Sequence, residues 1–282
     1  MKFTKMHGLG NDFILVDGFQ ETLSPDLSQI TLKLCDRHFG IGADGVIVVL
    51  PSETADFRMR IINSDGSEVE MCGNGIRCFA KYVYEENLIK QATFTVETLA
   101  GIMTPSLVLQ GDKVTGVRVD MGEPSLERSA VPMFGSVGQA LHESLEVLDT
   151  TFYITALSMG NPHCVIFVDD VGQIDLEKYG PALETHRVFP KKTNVHFLEV
   201  QNRAEIKMRV WERGVGPTLA CGTGACASLV AAVLNQKTER QAKIHLPGGT
   251  LEIEWAENNH VYMTGPAQKV FSGKVEDKAL FS

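Results

Sequence analysis

The 282-residue sequence has no block of Lys or Arg, and its 26 basic against 35 acidic residues leave a formal charge of -9. That balance argues against a polyanionic partner and against anionic membrane surfaces, so neither nucleic acid nor membrane is expected as a partner. No window approaches the run of about 18 apolar residues that would span a bilayer. The opening stretch "MKFTKMHGLGNDF" has Asn and Asp where a secretion signal needs an apolar core, and a cytoplasmic protein is expected. The six cysteines, Cys35, Cys72, Cys78, Cys164, Cys221 and Cys226, do not make a disulfide framework in a chain this long and a compartment this reducing. The separations Cys72 to Cys78 and Cys221 to Cys226 are wrong for the usual zinc pairs, and no metal is expected.

What is present is repetition. The chain exceeds what one core usually organises, and two domains of roughly 140 residues are the first expectation. "FRMRIINSDGSEVEMCGNG" (57 to 75) lies against "IKMRVWERGVGPTLACGTG" (206 to 224) at an offset of 149 without a gap, pairing Cys72 with Cys221. "GNDFILVD" (10 to 17) lies against "GNPHCVIFVD" (160 to 169), and "FTVETLAGIM" (94 to 103) against "IHLPGGTLEI" (244 to 253), in the same order and at nearly the same offset. Three matches in one order indicate a duplicated unit. The spans expected are 1–118, completed by 267–282, and 119–266, with 122–150 carrying the crossover between halves.

Phe57, Met59 and Ile61 alternate with Arg58 and Arg60, as Ile206, Met208 and Val210 alternate with their neighbours, which predicts strands with one wet face. After each repeated cysteine comes a helical period: Ile76, Phe79, Ala80 and Val83, then Ala225, Leu229, Ala232 and Val233. Many short strand-like runs around few helices predict an α+β fold. Two pseudo-symmetric domains would each wrap a curved, largely antiparallel sheet around a central helix, with the active site in the cleft between them.

A helix N-terminus offers unsatisfied N–H groups and partial positive charge, so Cys72 and Cys221 are expected to have lowered pKa values and a larger thiolate fraction. The adjacent glycines let a ligand approach the backbone amides, which can cradle a carboxylate. Two acid/base groups on opposite faces of one carbon are what inversion of configuration requires. Cys35, Cys78, Cys164 and Cys226 fall within apolar patterns and are expected to be small core residues.

"MHGLGNDF", "NSDGSEVEMCGNGIRC", "MGNPHCV", "ERGVGPTLACGTGAC" and "LPGGTLEIEW" closely resemble the motifs of the diaminopimelate epimerases, over the whole length of the chain. The resemblance implies inversion of the α-carbon of L,L-diaminopimelate to the meso form, without pyridoxal phosphate, metal or other cofactor, in the bacterial lysine and cell-wall pathway. It makes Cys221 the proton acceptor from the L,L isomer and Cys72 the donor, with His163 and Glu212 tuning the thiols.

Asn11, Asn63, Asn161 and Asn194 would ordinarily be turn residues, and a turn role explains the equivalence of Asn11 and Asn161 equally well. The resemblance instead matches all four, with Arg213, to positions that grip the unreacting end of the substrate. Arg213 can bind a carboxylate bidentately. Glu212 is included among the substrate-binding residues, and Gly73, Asn74, Gly222 and Thr223 should line the carboxylate cradles. One position departs from the pattern: Gly45 follows Asp44 where some members carry a Gln that touches substrate, so this loop is left out of the expected site and Asp44 is read as a brace. A proline or hydroxyproline-type racemase or epimerase shares the two-thiol architecture and is the alternative; a redox switch using Cys72 and Cys221 stands third. A homodimer is expected by analogy alone.

Overall fold

The computed structural model describes residues 1–21 and 26–276. The chain divides into two compact units, one formed by Met1–Val119 with the segment from Gly265 on, the other by Asp120–Thr264. Residues 277–282, expected to help complete the first domain, lie outside the described residues.

In the first unit Asn11–Asp17 pairs antiparallel with Lys2–Gly8 and parallel with Gly45–Leu50, which pairs antiparallel with Phe57–Asn63. That strand in turn runs parallel to Val96–Thr98, the first arm of a hairpin with Gly101–Met103. Parallel neighbours cannot be joined by a tight turn and need a crossover. Each parallel pair here has a helix in its crossover: α1 (Leu27–Cys35) between the first two strands, α2 (Gly73–Glu85) between the second two.

The second unit repeats this wiring. Pro162–Phe167 pairs antiparallel with Thr150–Ser158 and parallel with Asn194–Asn202, across α3 (Leu176–Glu184). Glu205–Glu212 pairs antiparallel with Asn194–Asn202 and parallel with Gln241–Leu246, across α4 (Gly222–Leu234). The offset of 149 that relates the cysteines also carries Leu27–Cys35 onto Leu176–Glu184 and Gly45 onto Asn194. Duplication therefore extends to the crossover helices.

A helix on each side of the sheet explains the continuous apolar runs. In the first unit Ile30, Leu34 and Cys35 of α1 pack with Ile14, Val16, Val46, Val48 and Ile62. On the other side α2 meets the alternate residues, with Phe79 edge-on to Phe57. Asp26 caps α1 and Asp175 caps α3, each accepting the N–H three residues on and satisfying a donor the helix leaves free. In α4 every residue from Gly224 to Ala232 is buried, in keeping with its apolar circumference. Cys35, Cys78, Cys164 and Cys226 are buried among these layers, and burial pushes the first three thiols up, Cys35 and Cys78 to about 12.

The stretch 122–150 is not only a connection. Ala140–Val147 is a strand, hairpinned to Thr150–Ser158, in which Leu145 and Val147 alternate inward. No helix of the described residues is long and apolar enough to cross a membrane.

Candidate active site

In the first unit Cys72 is the N-cap of α2, its backbone extended and its Sγ accepting the N–H of Gly75 at 3.4 Å. The same Sγ donates to Asn11 Oδ1 at 3.6 Å, which also accepts from Asn74 Nδ2 at 3.1 Å. Asn11 is delivered by the tight turn at Gly10, whose φ of 90 is left-handed and favours glycine. The other end of its amide donates to Asp44 Oδ2 at 2.8 Å. Asp44 also takes the Asp12 N–H and an Arg37 guanidinium N–H, so it braces the loop as expected. Behind Cys72, the wholly buried Arg77 donates to Gly73 O, Asn74 Oδ1 and Pro266 O, fixing the first turn of α2. Asn63, opposite Gly45 in the neighbouring strand, donates through Nδ2 to Ser67 Oγ at 3.3 Å. At Gly45 a Cβ would stand 2.7 Å from Ile62 O, so strand spacing leaves no room for a side chain at the departed position.

The second unit builds a counterpart of different chemistry. Cys221 caps α4 with extended backbone, and its Sγ lies 3.7 Å from Thr223 Oγ1. Thr223 Oγ1 accepts from Asn161 Nδ2 at 3.4 Å, and Asn161 follows Gly160, whose φ of 85 repeats the turn at Gly10. Asn161 Oδ1 lies 2.8 Å from His163 Nε2, and His163 Nδ1 lies 2.8 Å from His196 Nε2. His163 thus connects to Cys221 through Asn161 and Thr223. Burial first, then His196 and Arg213, hold the His163 imidazolium far below its usual range, and burial lowers His196 to about 3; both rings are neutral.

Glu212, at the end of its strand, accepts from Thr218 Oγ1 and from the Cys221 thiol. Burial raises its carboxyl pKa against these two hydrogen bonds. The expected lowering of the thiol is overturned at Cys221. Burial, then the negative charge of Glu212, push it well above the ordinary thiol range, outweighing the Gly224 N–H and Thr223, which pull it down. The helix end does favour the thiolate, but desolvation and a neighbouring carboxylate are larger. Cys221 therefore rests as a thiol, with the Glu212 carboxyl group as its charged neighbour.

Arg213 and Asn194 meet: Asn194 Oδ1 accepts the Arg213 backbone N–H at 3.0 Å, while Asn194 Nδ2 donates to Pro162 O at 2.8 Å. The Arg213 guanidinium donates to Lys191 O at 3.3 Å. The loop is tied down by the buried Glu184, which accepts from Gly214 N and Trp211 Nε1. Gly222 stands where a Cβ would be 3.1 Å from Met263 Sδ. Sequence reasoning missed Thr218 and His196. Alternation along "NVHFLEV" carries the signal for the latter, because His196 shares a face with Asn194 in a strand whose inner positions are otherwise apolar. Among the described residues no group of three or more His, Cys, Asp and Glu side chains could hold a metal ion.

Solved structures define the fold class first. A PhzF-family phenazine biosynthesis protein from Bacillus anthracis is 18% identical with a TM-score of 0.70, covering 98% of this chain and 99% of that one. A hydroxyproline epimerase from Agrobacterium vitis is 13% identical with a TM-score of 0.67, covering 97% and 91%. The chain thus has the duplicated α+β fold seen in those proteins. Within that class, the sequence profile described as diaminopimelate epimerase matches residues 3–127 and 155–270. Diaminopimelate epimerases from Desulfitobacterium hafniense and Methanococcus maripaludis are 58% and 50% identical, covering 99% and 98% of this chain and all of theirs. The chain belongs to the diaminopimelate epimerase family.

Proposed function

We propose that this protein is a cofactor-independent isomerase that inverts one α-carbon of L,L-2,6-diaminopimelate to give the meso form, supplying lysine and peptidoglycan synthesis in the cytoplasm. The observation that carries the reading is the duplicated Cys-Gly-x-Gly helix cap, with a thiol at the N-terminus of α2 and of α4. An amino-acid α-proton is a weak acid, and removing it leaves negative charge that spreads onto the α-carboxylate. Amides at a helix N-terminus stabilise that charge as it develops. Cys221 passes its proton to Glu212 and, as thiolate, takes the α-proton of the L,L isomer. Cys72 gives its own proton to the opposite face of the carbanion. Cys221 ends as thiol, Cys72 as thiolate and Glu212 as carboxylic acid; exchange with solvent returns the Glu212 proton to Cys72 before the next forward turnover, and the reverse reaction starts from the Cys72 thiolate.

Arg213 supplies the fork for the distal carboxylate, with Asn11, Asn63, Asn161 and Asn194 as further polar groups for the unreacting end. A proline-type substrate has no second carboxylate, so Arg213 separates that alternative from this one. The test is turnover of L,L-diaminopimelate in deuterated water with chiral separation of the product. Two bases should place solvent deuterium in the product before it appears in the substrate, whereas retention of the original α-hydrogen in early product would overturn the two-thiol reading.

A further inference from the structure

The chain of hydrogen bonds behind Cys221 ends on a residue that nothing in the two-thiol reading uses. His196 is wholly buried, its Nε2 is 2.8 Å from His163 Nδ1, and its Nδ1 has no hydrogen-bond partner among the described residues. It stands beside the cap of α4: a Cβ on Gly224 would collide with the ring and lie 3.0 Å from both His196 Nδ1 and Cys221 Sγ.

A neutral imidazole has one donor and one acceptor nitrogen, so the chain admits only two proton arrangements. In the first, His196 Nε2–H donates to His163 Nδ1, His163 Nε2–H donates to Asn161 Oδ1, and Asn161 Nδ2–H donates to Thr223 Oγ1. The Thr223 hydroxyl proton is then free for Cys221 Sγ. In the second, every bond is reversed. Asn161 is flipped, Thr223 donates to Asn161 instead of to sulfur, and His196 is left with an N–H buried without an acceptor. A buried orphan N–H is rarer than an under-used acceptor, so the first arrangement is favoured.

We propose that His196 is a positioning residue of this site: its Nε2–H locks His163 in the Nε2–H tautomer, and through Asn161 this turns the Thr223 hydroxyl toward the Cys221 sulfur. The inference rests on the reading of Cys221 as a catalytic thiol, but its geometry does not depend on the substrate. Without the lock, the chain reverses and the Cys221 thiolate loses a hydrogen-bond donor. Thr223 is among the groups that ease ionisation of Cys221, and Glu212 and Arg213 are the charged groups that act on the thiol and the imidazole pair.

Two variants separate positioning from packing. His196→Gln keeps an amide N–H near the Nε2 position, and His196→Phe fills the site without one. Three measurements apply to the whole chain: the His163 tautomer by nitrogen-15 spectroscopy, the pH dependence of Cys221 alkylation followed on its own peptide by mass spectrometry, and steady-state epimerisation. The expected result is an Nε2–H tautomer for His163 in the parent and in His196→Gln. In His196→Phe the tautomer should be lost, Cys221 alkylation should move about one pH unit upward, and kcat should fall about tenfold with little change in KM. Equal shifts in the two variants would reduce His196 to packing and overturn the proposal, as would an Nδ1–H tautomer in the parent or unchanged Cys221 ionisation in His196→Phe. If tautomer and alkylation behave as stated while the parent fails to invert diaminopimelate, the positioning role stands and the assigned reaction fails.

Discussion

The two units begin their central helices with the same Cys-Gly step, yet they surround the sulfur differently. Cys72 is partly exposed, donates to an amide oxygen and has the buried guanidinium of Arg77 bracing the turn behind it. Cys221 is buried, faces the carboxylate of Glu212, and has the small Cys226 where its repeat partner has Arg77. The polar scaffold is kept, since Asn11 bonds Asn74 as Asn161 bonds Thr223, while the charged neighbours have diverged. Duplication supplies two like-placed thiols, and divergence gives them different neighbours, an amide oxygen at Cys72 and a carboxyl group at Cys221. A two-base inversion needs one base and one acid at the same moment.

The largest break in that comparison should come at Arg213, whose repeat counterpart is Ser64. If Arg213 is the fork for the distal carboxylate, as proposed, Arg213→Met should weaken kcat/KM for diaminopimelate by about 2 to 5 kcal/mol, with Lys restoring only part. Steady-state kinetics within twofold of the parent would show that the two halves do not differ in reading the substrate.

Glu212 is next, with Asn63 as its counterpart. The carboxylate raises the Cys221 pKa and, in the proposed reaction, also takes its proton, so Glu212→Gln should separate the two effects. Cys221 should alkylate at lower pH than in the parent, yet epimerisation should fall by about 10²-fold because the proton has lost its acceptor. Faster alkylation together with faster turnover would mean that Glu212 is only an electrostatic burden on the thiol.

The smallest effect concerns the loops that carry the asparagines. Asp12 is bridged by Lys5 at 2.6 Å and Arg37 at 2.9 Å, while Pro162 stands at the repeat position. Burial alone would raise the Asp12 pKa, but hydrogen bonds from Arg37 and Lys5 bring it from 3.8 to about 2. A depressed folded-state pKa contributes stability above the unfolded value and loses it as pH falls through the folded one. Asp12→Asn should therefore cost about 1 to 2 kcal/mol at neutral pH, and the gap to the parent should close as pH falls from about 4 toward 2. Denaturant unfolding at several pH values measures it, and a pH-independent gap would remove the ion pairs from the comparison.

The duplication was legible because Cys, Gly and alternating apolar residues keep a fixed offset through "FRMRIINSDGSEVEMCGNG" and its partner. From it follow the central helices and the hairpins after them. The crossover helices α1 and α3 keep the same offset but share almost no residue types, so only pairing of the strands around them reveals the equivalence. Hydrogen-bond relays were less legible still. His163 meets His196 only because Pro162–Phe167 and Asn194–Asn202 run parallel, with His163 opposite Asn194. The lowered pKa expected for Cys221 failed because helix-end electrostatics is local in sequence, whereas burial and Glu212 come from the tertiary fold.

The first strand, Lys2–Gly8, is flanked on one side by Gln268–Lys274, and the amino terminus of Met1 donates to Val275 O. During synthesis on the ribosome, residues 120–264 emerge before the strand that closes the sheet of the first unit. The earlier-made half must therefore wait for its last strand, with Lys2–Gly8 as the sheet edge until Gln268–Lys274 arrives to take that place. Until then the backbone groups of Lys2–Gly8 on that side lack their strand partner, so the N-terminal strand is the last of the first unit to be paired on both sides.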